Sequence, residues 1–326
     1  MLNWDEIKEN GWKPKNDEYL RVLSIDGGGI RGVFPAKYLA LIENKTGKKI
    51  NEYFDLIVGT STGGIIALAL SVGIEAGNIE NLYVKNAKSI FKKKLIARIF
   101  GKKVGMLLGS LYDNKILTKL LKETFKDYKI IDADTMLCIP SIEHIKAMPK
   151  VYKTPHNKLF HMDKDMYMWQ VALATSAAPF YFPPACGIDD GCKLDGGLWA
   201  NNPVNVAIAE AIFHGIPLNK IKVLSIGTGD QMYTASNNIA ESSGLVNWRT
   251  NIIDLTMNAQ SYSADNMAKY LIGNENLIRI NFQSPKKLDL DSVEEEKIKI
   301  LQHEADDMFK KTYRNEDNVE SKFFSI

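Results

Sequence analysis

Little in this chain calls for covalent or metallic bracing. Its 326 residues include three cysteines, Cys138, Cys186 and Cys192. That is an odd number with no C-x-x-C pair, which predicts neither a disulfide framework nor a zinc cage and fits a reducing cytosol. Net charge is nearly absent too: 41 basic residues face 39 acidic ones, so no strong field draws the whole chain toward a nucleic-acid polymer. The longest apolar run, Ile65 to Ile74, is half of the roughly 20 residues that span a bilayer. The start, Met1-Leu-Asn-Trp-Asp-Glu6, lacks the basic and apolar regions of a secretory signal, so the expected location is cytoplasmic. No repeat or low-complexity tract is visible. What remains is 45% apolar and 25% charged, an ordinary globular composition in a chain long enough to bury a large core.

Strand and helix signals alternate. Leu20 to Ile25, Phe54 to Val58, Met136 to Glu143, Lys146 to Lys153, Lys222 to Ile226 and Leu277 to Phe282 read as strands. Val33 to Lys45, Gly64 to Val72, Tyr167 to Ser176 and Val204 to His214 read as helices. A final amphipathic helix is expected near Ser292, with Glu295 completing a capping box, and its outer face offers a surface for homo-oligomer formation. The pattern predicts an α/β fold around a largely parallel sheet flanked by helices. It places one domain over residues 18–315, after a lead-in at 1–17 and before a tail at 316–326. Within it, a basic insertion at about 81–112 contains no acidic residue but carries Lys85, Lys88, Lys92, Lys93, Lys94, Arg98, Lys102 and Lys103 between large apolar groups. Such a stretch suits an anionic bilayer surface, and equally an ordinary helix pair with solvated lysines.

Gly59-Thr-Ser61-Thr-Gly63 lies between a buried strand and an apolar helix, the setting in which G-x-S-x-G forms a nucleophile elbow. The serine there sits on a cramped turn, so glycines are needed two residues to either side. Asp26-Gly27-Gly28-Gly29-Ile30-Arg31-Gly32 follows the first strand. Its bare glycines can point backbone N–H groups at an anion, as an oxyanion hole requires. The same glycines satisfy G-x-G-x-x-G, but a dinucleotide site wants an acidic residue closing the next strand. Gly59-Thr-Ser61 occupies that place, and Asp55 sits near the strand's beginning. Arg31 either pairs with an acidic phosphate or braces the loop.

A nucleophilic serine needs a base. Of the five histidines, His144, His156, His161, His214 and His303, none falls in a glycine-rich loop or strand-end turn. Asp195-Gly196-Gly197 offers a carboxylate whose glycine neighbours let it approach another backbone closely, and a carboxylate touching the hydroxyl can act as base directly. A Ser61–Asp195–His triad using His214 or His303 also satisfies a known chain order. A non-enzymatic nucleotide-binding or membrane-scaffolding protein using the glycine loop is the third reading.

Four blocks, Asp26 to Gly32, Gly59 to Gly63, Ala174 to Pro183 and Asp195 to Pro203, resemble in order and register the signature blocks of patatin-like phospholipases. The resemblance implies the three-layer fold of that family with its elbow after a central strand. It also implies hydrolysis of lipid acyl esters without metal or cofactor. By position it makes Ser61 the nucleophile, Asp195 the general base and Gly27, Gly28 and Gly29 the oxyanion loop. Arg31, Gly32, Gly59, Gly63, Gly196 and Gly197 are then supporting positions, and membrane phospholipids the partner at the inner face of the membrane. The run Ser24 to Lys37 further resembles bacterial patatin-like effectors of anti-phage signalling, which implies a cyclic dinucleotide activator.

Overall fold

A computed structural model describes residues 9, 15, 18–94, 109–231, 245–284, 286–315 and 318–324. Its strands are β1 (Leu20–Ile25), β2 (Leu56–Gly59), β3 (Met136–Glu143), β4 (Met148–Lys153), β5 (Ala185–Ile188), β6 (Gly191–Asp195), β7 (Ile221–Ile226), β8 (Asp230–Gln231), β9 (Leu277–Ile280) and β10 (Gln283–Ser284). Helices α1 (Val33–Thr46), α2 (Thr62–Ser71), α3 (Ala76–Ile90) and α4 (Lys115–Phe125) precede α5 (Met168–Thr175), the short α6 (Gly197–Ala200) and α7 (Val204–Phe213). Two longer helices follow, α8 (Leu245–Ile272) and α9 (Glu295–Thr312).

The main sheet runs β5-β6-β3-β2-β1-β7-β9, with β4 also paired to β3, while β8 and β10 form a separate pair. Strands β3, β2, β1, β7 and β9 are mutually parallel; β4, β5 and β6 join antiparallel. The largely parallel sheet is therefore its centre, and the whole is mixed. Alternation along the central strands divides the core between two faces. Leu23, Ile25, Ile57, Leu137, Leu224 and Ile226 point to the face covered by α1, α2 and α9. Leu20, Val22, Leu56, Val58, Cys138 and Val223 point to the face covered by α7 and the later turns of α8. Two apolar faces on one sheet require helices on both sides, which gives the three-layer α/β fold.

Several local expectations are corrected. Helix α9 starts at Glu295 after Glu294, with no side-chain cap. Ser292 instead accepts a hydrogen bond from Lys297, so the capping box is absent. Cys186 and Cys192 are directly opposed on β5 and β6 and form a disulfide. A hairpin brought them together, which an odd count and the lack of C-x-x-C could not reveal. The beginning of the basic insertion is α3, whose Tyr83, Ala87 and Ile90 are buried while Lys85 and Lys88 are not; residues 95–108, with Arg98, Lys102 and Lys103, lie outside the described residues. Within the tail, Val319, Phe323 and Phe324 are buried. Phe323 stacks on Phe54, and its carbonyl accepts a hydrogen bond from Arg21. Phe323→Ala should lower unfolding stability by about 3–5 kcal/mol, measured as a shift of the denaturant midpoint.

Candidate active site

The parallel strands place their carboxyl ends side by side, and the chain's glycine-rich turns gather there. After β2, Ser61 takes φ 54° and ψ −121°, a conformation costly for a residue with a Cβ. The turn is closed by contact: a Cβ on Gly59 would overlap the Gly63 carbonyl, and one on Gly63 the Ile25 carbonyl. The Ser61 N–H donates to Thr175 Oγ1 at 2.9 Å, and that hydroxyl donates to the Pro140 carbonyl at 2.6 Å. Helix α2 opens at once with Thr62, so its unpaired first-turn N–H groups lie beside the serine.

Register brings the carboxylate to the same level. Val58 of β2 pairs with Cys138 of β3; three residues beyond Val58 the chain reaches Ser61, and three beyond Cys138, Ser141 of β3 pairs with Asp195 of β6. The Ser61 hydroxyl donates to Asp195 Oδ2 at 2.7 Å, and the Gly197 N–H donates to Oδ1 at 2.6 Å. Gly196 is required by closeness, since a Cβ there would overlap the Pro140 carbonyl. Burial pushes the Asp195 carboxyl up to about 6, against the lowering pull of the bonds from Ser61 and Gly197. Neither histidine of the triad reading reaches it. His214 faces Glu210 at 3.4 Å and His303 faces Asp307 at 3.3 Å.

The glycine loop is held from several sides. Gly27 donates its N–H to the Asn201 carbonyl at 3.0 Å, so that donor is already used and the three-glycine expectation narrows. Among the described residues, Gly28 and Gly29 N–H groups meet no protein acceptor. Gly29 is left-handed at φ 57° and packs so closely on the Leu290 backbone that no Cβ fits. Arg31 resolves as a brace: its guanidinium donates to the Gly28 and Gly229 carbonyls at 3.3 and 3.1 Å. Gly32 packs against Thr62. Asp26 forms a bidentate pair with Arg279 at 2.8 and 2.5 Å, and Thr228 donates to the Gly27 carbonyl at 2.8 Å. Asp55, by contrast, is spent at the other end of the sheet on the N–H groups of Arg21 and Lys15.

A cleft opens over Ser61 and Asp195, lined also by Gly29 and a set of apolar side chains including Ile65, Ile90, Phe91, Phe182 and Met257. The model of the family described as patatin-like phospholipase matches residues 23–208. The chain belongs to that family. Membership makes it an enzyme, a lipid acyl hydrolase. A cGAMP-activated phospholipase of Vibrio cholerae is 37% identical over 69% of this chain and 69% of its own length. A cGAMP-activated phospholipase of Pseudomonas aeruginosa is 34% identical over 78% of this chain and 75% of its own. The solved structure of VipD from Legionella pneumophila is 13% identical, with a TM-score of 0.40, covering 89% of this chain and 67% of that one.

Family blocks named in the sequence account for Ser61, Asp195 and the glycines. Thr175 and Asn201 stand within those blocks but carried no assigned role, and Arg279 and Thr228 stand outside them. Each acts on a residue more than a hundred positions away, so no local spacing announces it. Thr175→Val strips the Ser61 N–H and the Pro140 carbonyl of a buried partner. It should cost about 1–3 kcal/mol of stability, read by thermal or denaturant unfolding.

Proposed function

We propose that this protein cleaves fatty-acyl esters of membrane phospholipids through Ser61 and Asp195. The observation that carries the reading is the 2.7 Å hydrogen bond from the Ser61 hydroxyl to Asp195, made without an imidazole, at the floor of an apolar cleft. Asp195 takes the hydroxyl proton as Ser61 Oγ attacks the ester carbonyl. The carbonyl oxygen, now negative, is received by the free N–H groups of Gly28 and Gly29, which act on charge that develops only near the transition state. The proton passes to the departing lysolipid oxygen. Asp195 then activates a water that releases the fatty acid from the acyl-serine.

The apolar cleft suits an acyl chain. Phe91 lines it, and Lys92, Lys93 and Lys94 follow directly and are exposed. Lys93 bridges to Tyr112, so both ends of the basic segment are anchored beside the mouth. This supports peripheral contact with anionic lipid, where lysines meet headgroups as an acyl chain enters. No described helix is long and apolar enough to cross a membrane. The printed names of the relatives support a cyclic dinucleotide, cGAMP, as activator.

Fatty-acid release from phospholipid vesicles tests the reading. Release should appear or rise with cGAMP and fall at least about 10⁴-fold in Ser61→Ala; wild-type release by that variant would overturn the mechanism. Asp195 must be ionised to accept the proton, and its pKa is raised to about 6. The kcat/KM of the wild type should therefore hold above pH 6 and drop about tenfold per unit below it. A profile flat down to pH 4.5 would remove Asp195 as the base.

A further inference from the structure

On the sheet face opposite the cleft, three side chains with metal-binding atoms converge, and a fourth stands beside them. Cys138 projects from β3 and is a fully buried free thiol. Glu210 comes from α7, His214 from the residue that ends it, and His156 from the loop after β4. Cys138 Sγ, a His156 ring nitrogen and a Glu210 carboxylate oxygen lie within 4.8 Å of one another. Glu210 Oε1 stands 3.0 Å from His156 Nε2 and 3.4 Å from His214 Nε2. His214 is 3% exposed, yet neither of its ring nitrogens makes a hydrogen bond. A buried imidazole aimed at a carboxylate without bonding to it is an unmet polar group, and such groups ask for a reason.

We infer that Cys138, His156 and Glu210 form a structural site for a divalent transition-metal ion of zinc type, with His214 standing beside it, 3.4 Å from Glu210 Oε1. Thiolate, imidazole and carboxylate are the donor set of that ion, and bonds of about 2.0–2.3 Å in a tetrahedron put neighbouring ligand atoms roughly 3.3–3.8 Å apart. The three ligand atoms lie within 4.8 Å of one another, so small side-chain movements bring them to those edges. The surroundings match what orients metal ligands. Lys153 Nζ holds the other Glu210 oxygen, Oε2, at 2.5 Å, which leaves Oε1 facing the two imidazoles. Thr154 Oγ1 lies 2.7 Å from His156 Nδ1 and accepts the Leu137 N–H at 2.9 Å. By also accepting the Nδ1 proton it leaves the Nε2 lone pair for the ion. The Phe160 and Phe213 rings cover the histidines, and Phe213 is itself 54% exposed, so one aromatic layer separates the site from solvent.

Binding exchanges one proton for the ion: the Cys138 S–H bond breaks, an S–metal bond forms, and the proton leaves to solvent. No electron is transferred. The ion ties β3, the loop after β4 and the end of α7 into one unit. The ligands come from three separate stretches, so a reading based on cysteine spacing alone could not assemble them.

The test is metal content and a cobalt spectrum of the full chain. Protein purified without chelator and equilibrated with zinc chloride should retain about one zinc per chain after gel filtration. Chelator should lower its Tm and added zinc restore it. Chelator-treated wild type given cobalt chloride should show the ligand-field bands of tetrahedral cobalt and a thiolate-to-cobalt charge-transfer band. Cys138→Ser should abolish the charge-transfer band, and His156→Asn should weaken zinc binding about 100-fold or more. A wild type that retains no zinc and gives the spectrum of hydrated cobalt overturns the proposal and leaves a hydrogen-bonded charge network. Because the readouts are metal content and spectra, they do not depend on the hydrolase reading.

Discussion

Asp195 carries a buried carboxyl group at the base of the cleft, and among the described residues no cation stands beside it; the groups bonded to it are the Ser61 hydroxyl and the Gly197 N–H. Desolvation without a compensating charge is what raises its proton affinity. A second aspartate in the same region shows the alternative. Asp26 has a guanidinium clamped on both oxygens, which makes it an anchor for the glycine loop. The two carboxylates divide the labour by their partners: Asp26 holds the loop, and Asp195 holds the Ser61 hydroxyl. The elbow, the Gly196–Gly197 turn and the Thr175 hydroxyl keep the serine oxygen on the uncompensated carboxylate rather than in solvent.

Legibility in the sequence tracks the range over which a constraint acts. Gly59 and Gly63 are forced by a turn five residues long, so they stand out by spacing. The clashes a Cβ would meet there give the physical reason. Strands β1, β2 and β7 announce themselves because both faces are buried and the runs are almost wholly apolar. Helix α8 leaves a faint apolar period because two of its buried positions are Ala264 and Ala268. The Arg279 clamp, the Asn201 carbonyl that takes up the Gly27 N–H, and the Phe323 plug join residues far apart in the chain. Only the register of the sheet brings them together.

The basic stretch changes character along its length. Its first part behaves as an ordinary helix, α3, with apolar groups inward and lysines outward. Past Ile90 the chain changes character. Phe91 joins Tyr112 and Phe182 in an aromatic cluster at the cleft, and three exposed lysines follow. Hydrophobic packing thus fixes where the cationic residues emerge, and that point is beside the apolar cleft.

Ser61 holds a positive-φ backbone conformation that is an outlier for a residue branched at Cβ. The turn therefore selects its residue by shape before chemistry enters. Threonine offers the same hydroxyl and is shut out, whereas cysteine has a single heavy atom on its Cβ and fits. For a lineage drifting at this position, the backbone leaves a thiol within reach, and a secondary alcohol lies on the far side of a refolded elbow.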